Sequence, residues 1–207
     1  MDELLSETPA ITTLAALRKA EAECKRCPLY RHATQVVPGE ASAEARLMFV
    51  GEQPGNDEDL AGRPFVGPAG RMLDRAIEDA GLQRAQIFVT NAVKHFKFEP
   101  RGKRRLHKRP NAAEIEACRW WLERERSIVK PRVIVALGAT AARGVLGRTV
   151  TIAKVRGEVL RDDAGAGIIV TIHPSYLLRL QDDESKEREY KQFVADLRRG
   201  ARLLEAA

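Results

Sequence analysis

"GKRRLHKRP", residues Gly102 to Pro110, is the densest basic stretch of the chain. Arg101, Lys103, Arg104, Arg105, Lys108 and Arg109 surround a single histidine, His107, with no acid among them. Lysine and arginine bind phosphates through charge alone and need no imidazole. His107 is therefore either one more polar residue of a solvated loop or a residue with its own task. A second group is "CKRC", whose Cys24 and Cys27 form a C-x2-C pair able to bring two thiolates to one metal. Cys118 supplies a third sulfur, and His32 and His95 are nitrogen donors in reach of the sequence pattern. Structural zinc, an iron–sulfur cluster with an imidazole ligand, and a Cys118 that only fills the core are all compatible with that spacing.

These residues need elements to carry them. Four apolar, β-branched runs read as buried strands: "RLMFVGE" (46–52), "QIFVTNAV" (86–93), "RVIVALG" (132–138) and "GIIVTIHP" (167–174). Helical patterns lie between them, in "RMLDRAIEDAGL", "RPNAAEIEACRWWLERERSIVK" with Asn111 as cap and Pro131 beyond its end, and "ATAARGVLG". The C-terminal "ESKEREYKQFVADLRRGARLLEA" is a further amphipathic helix. This alternation predicts an α/β fold: a three-layer αβα sandwich around a central, mostly parallel four-stranded sheet, one domain over 1–207, with a basic loop at about 101–110. Ligands of such sheets sit outside the C-terminal strand ends. The polar residues at those ends are Glu52, Gln53, Asn91 and His173, which are expected to converge on one cleft.

The formal net charge of +6 and pI of about 9.4 point to a polyanionic partner, of which nucleic acid is the commonest. No apolar run approaches the roughly 20 residues that span a bilayer, and "MDELLSETPA" is acidic rather than a signal segment. No membrane association and a cytoplasmic location are expected. Three cysteines in a reducing compartment favour thiols or metal ligation over disulfides.

Five segments in this order resemble the uracil-DNA glycosylase superfamily, specifically its iron–sulfur family 4. They are "CKRCPLYRHATQVVPGE", "GEQPGNDEDLAGRPFVGPAGRMLD", "VTNAVKH", "EIEAC" and "TIHPSYLLR". The chain departs from the family pattern in three places. Gln53 stands where alanine is usual, His95 where the third cluster cysteine falls, and the basic stretch is an insertion. All three are features of the UdgX branch, which is similar to family 4 but crosslinks itself to DNA.

The resemblance implies a 4Fe-4S cluster on Cys24, Cys27, His95 and Cys118. It implies that Asn91 reads the Watson–Crick edge of a flipped uracil, with Gly51 and Phe65 lining the base site and Phe65 stacking on the ring. His173 would donate to uracil O2 as negative charge develops there, and His107 would take the place of water, attacking C1′ with Glu52 as its orienting carboxylate. Gln53 would order the loop against Glu52 or the base. Lys103, Arg104, Arg105, Ser175 and Arg179 would hold phosphates. The implied partner is uracil-containing DNA, preferentially single-stranded, bound by a monomer. Two other readings compete: a multiple-turnover glycosylase whose basic loop only binds DNA, and a non-catalytic iron–sulfur protein of single-stranded DNA.

Overall fold

The computed structural model describes residues 11–41 and 44–205; the acidic segment read above as lacking a signal sequence lies outside them. A sheet with strand order β2-β1-β5-β7-β6 forms from β1 (Leu47–Gly51), β2 (Ile87–Asn91), β5 (Val133–Leu137), β6 (Leu160–Arg161) and β7 (Gly167–Thr171). The four expected strands are mutually parallel, and each apolar run is buried along its whole length. The sheet has five strands rather than four, because β6 adds two residues antiparallel to the edge of β7. Two residues are too few to show a period, so their pairing is written in the exposed edge of β7 rather than in their own sequence.

Side chains alternate across the sheet. Leu47, Phe49, Ile87, Val89, Val133, Val135 and Ile169 face one layer, formed by α3 (Pro68–Asp79), α7 (Pro174–Arg179) and α8 (Asp183–Glu205). Met48, Val50, Phe88, Ile134, Ala136, Ile168 and Val170 face the other, formed by α4 (Ala112–Val129) and α5 (Ala139–Leu146). The three-layer αβα expectation holds. In α4 the Asn111 side chain accepts from Glu114 N at 2.9 Å while Glu114 Oε2 accepts from Asn111 N at 2.7 Å, a reciprocal cap that fixes where the helix begins. Lys130, at φ +51° before Pro131, ends it.

Four helices escaped the periodic reading, α7 (Pro174–Arg179) and three others. The others are α1 (Leu14–Ala22), α2 (Asn56–Ala61) and α6 (Ile152–Val155). The larger correction concerns the basic stretch, which is a hairpin and not a loop. In it β3 (Phe98–Arg101) pairs antiparallel with β4 (Arg104–His107) through a tight turn at Gly102, whose φ is +59°. Among the described residues no helix is long and apolar enough to cross a membrane.

Candidate active site

Parallel strands deliver their polar C-terminal residues to one edge. In strand order the sheet runs from β1 to β2 on one side and to β5 and β7 on the other, so the crevice opens where the chain reverses direction across the sheet. A cavity of about 410 Å³ lies there, lined by Gln53, Phe65, Asn91, His107, His173 and Ser175 together with the first turn of α2. Three of the four strand-end residues expected to converge, Gln53, Asn91 and His173, line it.

Gly51 and Asn91 are register partners at the ends of β1 and β2. A Cβ on Gly51 would lie 2.3 Å from Asn91 Oδ1 and 2.5 Å from Phe65 Cζ, so only glycine leaves the amide and the ring in place. Phe65 itself is buried and held at φ +57°, a left-handed conformation that costs a bulky residue on the order of 1–3 kcal/mol. That strain is sustained by packing: the backbone of Gly70 in α3 sits so close to the Phe65 carbonyl that a Cβ there would meet it at 1.8 Å. The Phe65 ring is thereby held 6.0 Å from that of His173 across the cavity. A Gly51→Ala variant is expected to remain folded yet lose ligand binding in this cavity by two orders of magnitude or more, on the order of 3 kcal/mol, as checked by a binding or activity assay beside a thermal melt.

His173 caps α7, and its tautomer is fixed by its neighbours. Ser175 N donates to Nδ1 at 3.2 Å and Ser175 Oγ lies 2.8 Å from the same atom, so Nδ1 accepts and the proton sits on Nε2. Arg179 Nη1 donates to Ser175 Oγ at 3.0 Å, leaving that hydroxyl's own proton for the imidazole. Burial, with the nearby His107 and Arg179, drives the His173 pKa down to about 4. The cavity therefore contains a neutral imidazole that donates. Ser175 and Arg179, expected as phosphate ligands, form the relay that orients it. Gly138, at φ +92°, lets β5 turn into α5 with His173 Cβ only 3.2 Å from where its own Cβ would be.

Glu52 Oε2 accepts from Thr140 Oγ1 at 2.5 Å, a contact that bridges the crevice from β1 to the first turn of α5. Thr140 was not among the expected residues. Glu52 Oε1 lies 3.4 Å from His107 Nε2, and Arg109 Nε lies 3.7 Å from Oε2. The His107–Glu52 pair is thus apposed at a little more than hydrogen-bond length, as catalytic pairs often are before substrate arrives. His107 is half exposed, its side chain 49% accessible, and lines the cavity. Partial burial lowers its pKa below the ordinary 6.5; Glu52 opposes that shift, while Arg179 and Arg109 add to it. The imidazole is neutral at pH 7.

The hairpin is fixed from both ends. Gln53 Nε2 donates to the carbonyls of Lys97 at 3.1 Å and Lys108 at 3.0 Å, and its Oε1 accepts from Lys97 N at 3.1 Å. It therefore orders the base of the hairpin and does not touch Glu52. Arg105, expected on phosphate, is committed within the chain. Its guanidinium pairs with the fully buried Asp59 at 2.6 Å, bonds Asn56 and Thr34, and lies over the rings of Phe96 and Phe98. Alternation along β4 turns Arg105 and His107 to the same face, toward α2 and the cavity. Lys103 and Arg104 are exposed at the turn and make no ion pair among the described residues. Arg105→Ala is expected to strand the Asp59 carboxylate, costing on the order of 3 kcal/mol, and to lower the reactivity of His107 much more than ligand binding near Asn91. A melting curve and a His107 modification rate check both halves.

The three cysteines share one apolar cluster with Leu17, Val93, Ile115 and Trp121. Trp121 Nε1 donates to Cys24 Sγ at 3.0 Å and Lys94 N to Cys118 Sγ at 3.2 Å. Burial pushes the Cys118 thiol up to about 12 and raises Cys27 as well. His95, next to Lys94, is buried and lowered below 6.5 by that burial, whereas His32 is exposed. Buried sulfurs that receive N–H donors suit a thiolate-bound metal centre. Yet among the described residues no three His, Cys, Asp or Glu side chains close to the spacing that a single ion requires.

The family profile of the uracil DNA glycosylase superfamily matches residues 38–198, a span that holds every cavity residue named above. The chain belongs to that superfamily. It is 42% identical over 163 residues to the Type-4 uracil-DNA glycosylase of Thermotoga maritima, covering 78% of this chain and 81% of that one. It is 37% identical over 173 residues to the Type-4 uracil-DNA glycosylase of Pyrobaculum aerophilum, covering 80% and 85%. With the Type-4 enzyme of Archaeoglobus fulgidus it shares 36% over 177 residues, covering 82% and 85%. The superfamily match begins at residue 38, after Cys24 and Cys27.

Proposed function

We propose that this chain is a uracil-DNA glycosylase that ends its reaction covalently attached to the abasic deoxyribose through His107. The observation that carries the second half is the neutral imidazole of His107 beside Glu52 at the mouth of the cavity that holds Asn91 and His173.

A flipped uracil fits the cavity with its edge toward Asn91. The amide donates to O4 and accepts from N3–H; cytosine presents the reversed pattern and leaves both groups mispaired. Phe65 supports the ring face. As the C1′–N1 bond breaks, its electron pair stays on uracil, and the Nε2–H of His173 donates to the developing O2 anion from a site pre-set by Ser175 and Arg179. The deoxyribose is left as an oxocarbenium ion. His107 then forms the N–C1′ bond with the ring nitrogen turned away from Glu52, and the proton on the nitrogen facing Glu52 passes toward that carboxylate, which Thr140 holds. The exposed Lys103 and Arg104 hold DNA phosphates without sequence preference.

Cys24, Cys27, His95 and Cys118 are the residues that would hold an iron–sulfur cluster. Imidazole has precedent as a partner of thiolates on such clusters, and a cluster bound there would serve to tie the N-terminal segment to α4. No chemical step runs through it.

The deciding experiment incubates the protein with a uracil-containing single-stranded oligonucleotide and reads both free uracil and a denaturing gel. Uracil release with a shifted band that survives heat and detergent supports the whole proposal. Release without such a band leaves the multiple-turnover reading, and neither product removes the enzymatic one.

Acidity should separate the two steps. His173 stays neutral down to about pH 4, so uracil release is expected to persist through mildly acid conditions. His107 is more exposed than His173 and has Glu52 beside it to oppose the lowering, so it is expected to take up a proton first, and the crosslink to fail first, as pH falls. Quantifying released uracil and covalent product on the same samples across that range checks the order.

A further inference from the structure

Immediately after the strand that carries Asn91 lies a lysine with no access to water. The Lys94 ammonium, 0% exposed, reaches back along the chain to the Asn91 carbonyl oxygen at 3.0 Å and to Thr90 Oγ1 at 2.5 Å. Its counter-charge is Glu125 of α4, at 2.7 Å and 1% exposed. Glu125 in turn accepts from Thr90 Oγ1 and from Gly39 N, both at 3.0 Å, while the Lys94 carbonyl accepts from Val37 N at 2.9 Å. The same residue's amide is the donor to Cys118 Sγ. One side chain and its own peptide thus join the end of β2, α4, the 37–40 segment and a cysteine of the candidate cluster.

A buried ion pair is a poor way to gain stability. Desolvating two charges offsets their attraction, and apolar residues of similar volume commonly serve as well or better. What an ammonium offers and a methionine does not is a directed donor at the Asn91 carbonyl. That bond holds the carbonyl side of the Asn91–Ala92 peptide, whose N–H side donates to the Gly51 carbonyl at 2.9 Å, so the two together fix the plane from which the Asn91 amide projects.

We infer that Lys94 is the positioning residue of the base-reading site, holding Asn91 in the orientation that recognises uracil and linking that orientation to Cys118. This inference rests on the proposal that Asn91 reads uracil. Lys94 touches no reacting atom and acts through Asn91.

The test is a coupling cycle. Single-turnover uracil release is measured for the parent, for Asn91→Ala, for the paired Lys94→Met/Glu125→Gln, and for the three changes together, with melting temperature and iron content recorded for each. The paired variant removes both charges and keeps an acceptor for Gly39. It is expected to slow release by about tenfold to a hundredfold in the parent, the scale of a misplaced catalytic group, and to add little once Asn91 is alanine. Equal loss in both backgrounds overturns the inference and leaves Lys94 a structural residue. If the paired variant does not fold, Thr90→Val, which removes only the hydroxyl between the two charges, is put through the same cycle with the same two outcomes. Should Asn91→Ala by itself leave uracil release unchanged, the base-reading proposal fails, independently of anything Lys94 does.

Discussion

Replacing His107 by alanine is expected to remove the covalent product entirely while uracil release continues, now with more than one turnover per protein molecule. The expectation follows from the division of labour in the cavity. The groups that loosen the glycosidic bond are Asn91, Phe65 and the donor Nε2–H of His173, and none of them depends on His107 for its position. His107 belongs to a separate element, the β3–β4 hairpin, fixed by Gln53 and Arg105. Its removal opens the mouth of the cavity to water, which then captures the oxocarbenium ion and lets the product leave. Loss of its imidazole relieves one of the influences that lower the His173 pKa, but burial, the largest of them, remains, so His173 stays neutral at pH 7. Covalent product from His107→Ala on a denaturing gel would mean that another group captures the sugar.

His173→Ala is expected to act on the other step. A single pre-set donor to a developing oxyanion is worth about a hundredfold to a thousandfold in rate, or roughly 3–4 kcal/mol, and here the donor is fixed by a relay from Arg179 through Ser175. Uracil release should fall by that factor, and crosslinking should fall with it, because no oxocarbenium ion forms for His107 to trap. The two variants therefore differ in kind: one uncouples the steps, the other slows both together. Ser175→Ala should give a smaller loss in the same direction, since it removes one of the two contacts that set the tautomer while the backbone donor at Nδ1 remains. Single-turnover rates for release and capture on one substrate distinguish these outcomes.

The parallel core was legible because burial on both faces leaves uninterrupted apolar runs, and three of the four runs carry a polar crevice residue at or near their end. Glu52, Asn91 and His173 could be read from strand ends alone. Thr140 could not, because β5 ends in a Gly-Ala pair and its functional hydroxyl lies in the first turn of a helix of small residues. The basic stretch misled for a different reason. Its strands are four residues long, β3 contains Pro100, and an Arg-rich sequence has no apolar alternation to report. Only Gly102, as a turn residue, hinted at a hairpin. Had that hint been followed, period-two alternation would have separated Arg105 and His107, which face the protein, from Arg104 and Leu106, which face out. Arg105 looked like its neighbours because its partner Asp59 lies in α2, six residues hidden inside a Gly/Pro-rich segment.

The most direct test of the central proposal is peptide mapping by tandem mass spectrometry of the product formed with uracil-containing single-stranded DNA. The proposal predicts one modified peptide, spanning the hairpin, with the deoxyribose mass added on His107. An adduct on Lys103 or any other amine, or unmodified peptides throughout beside quantitative uracil release, would contradict it.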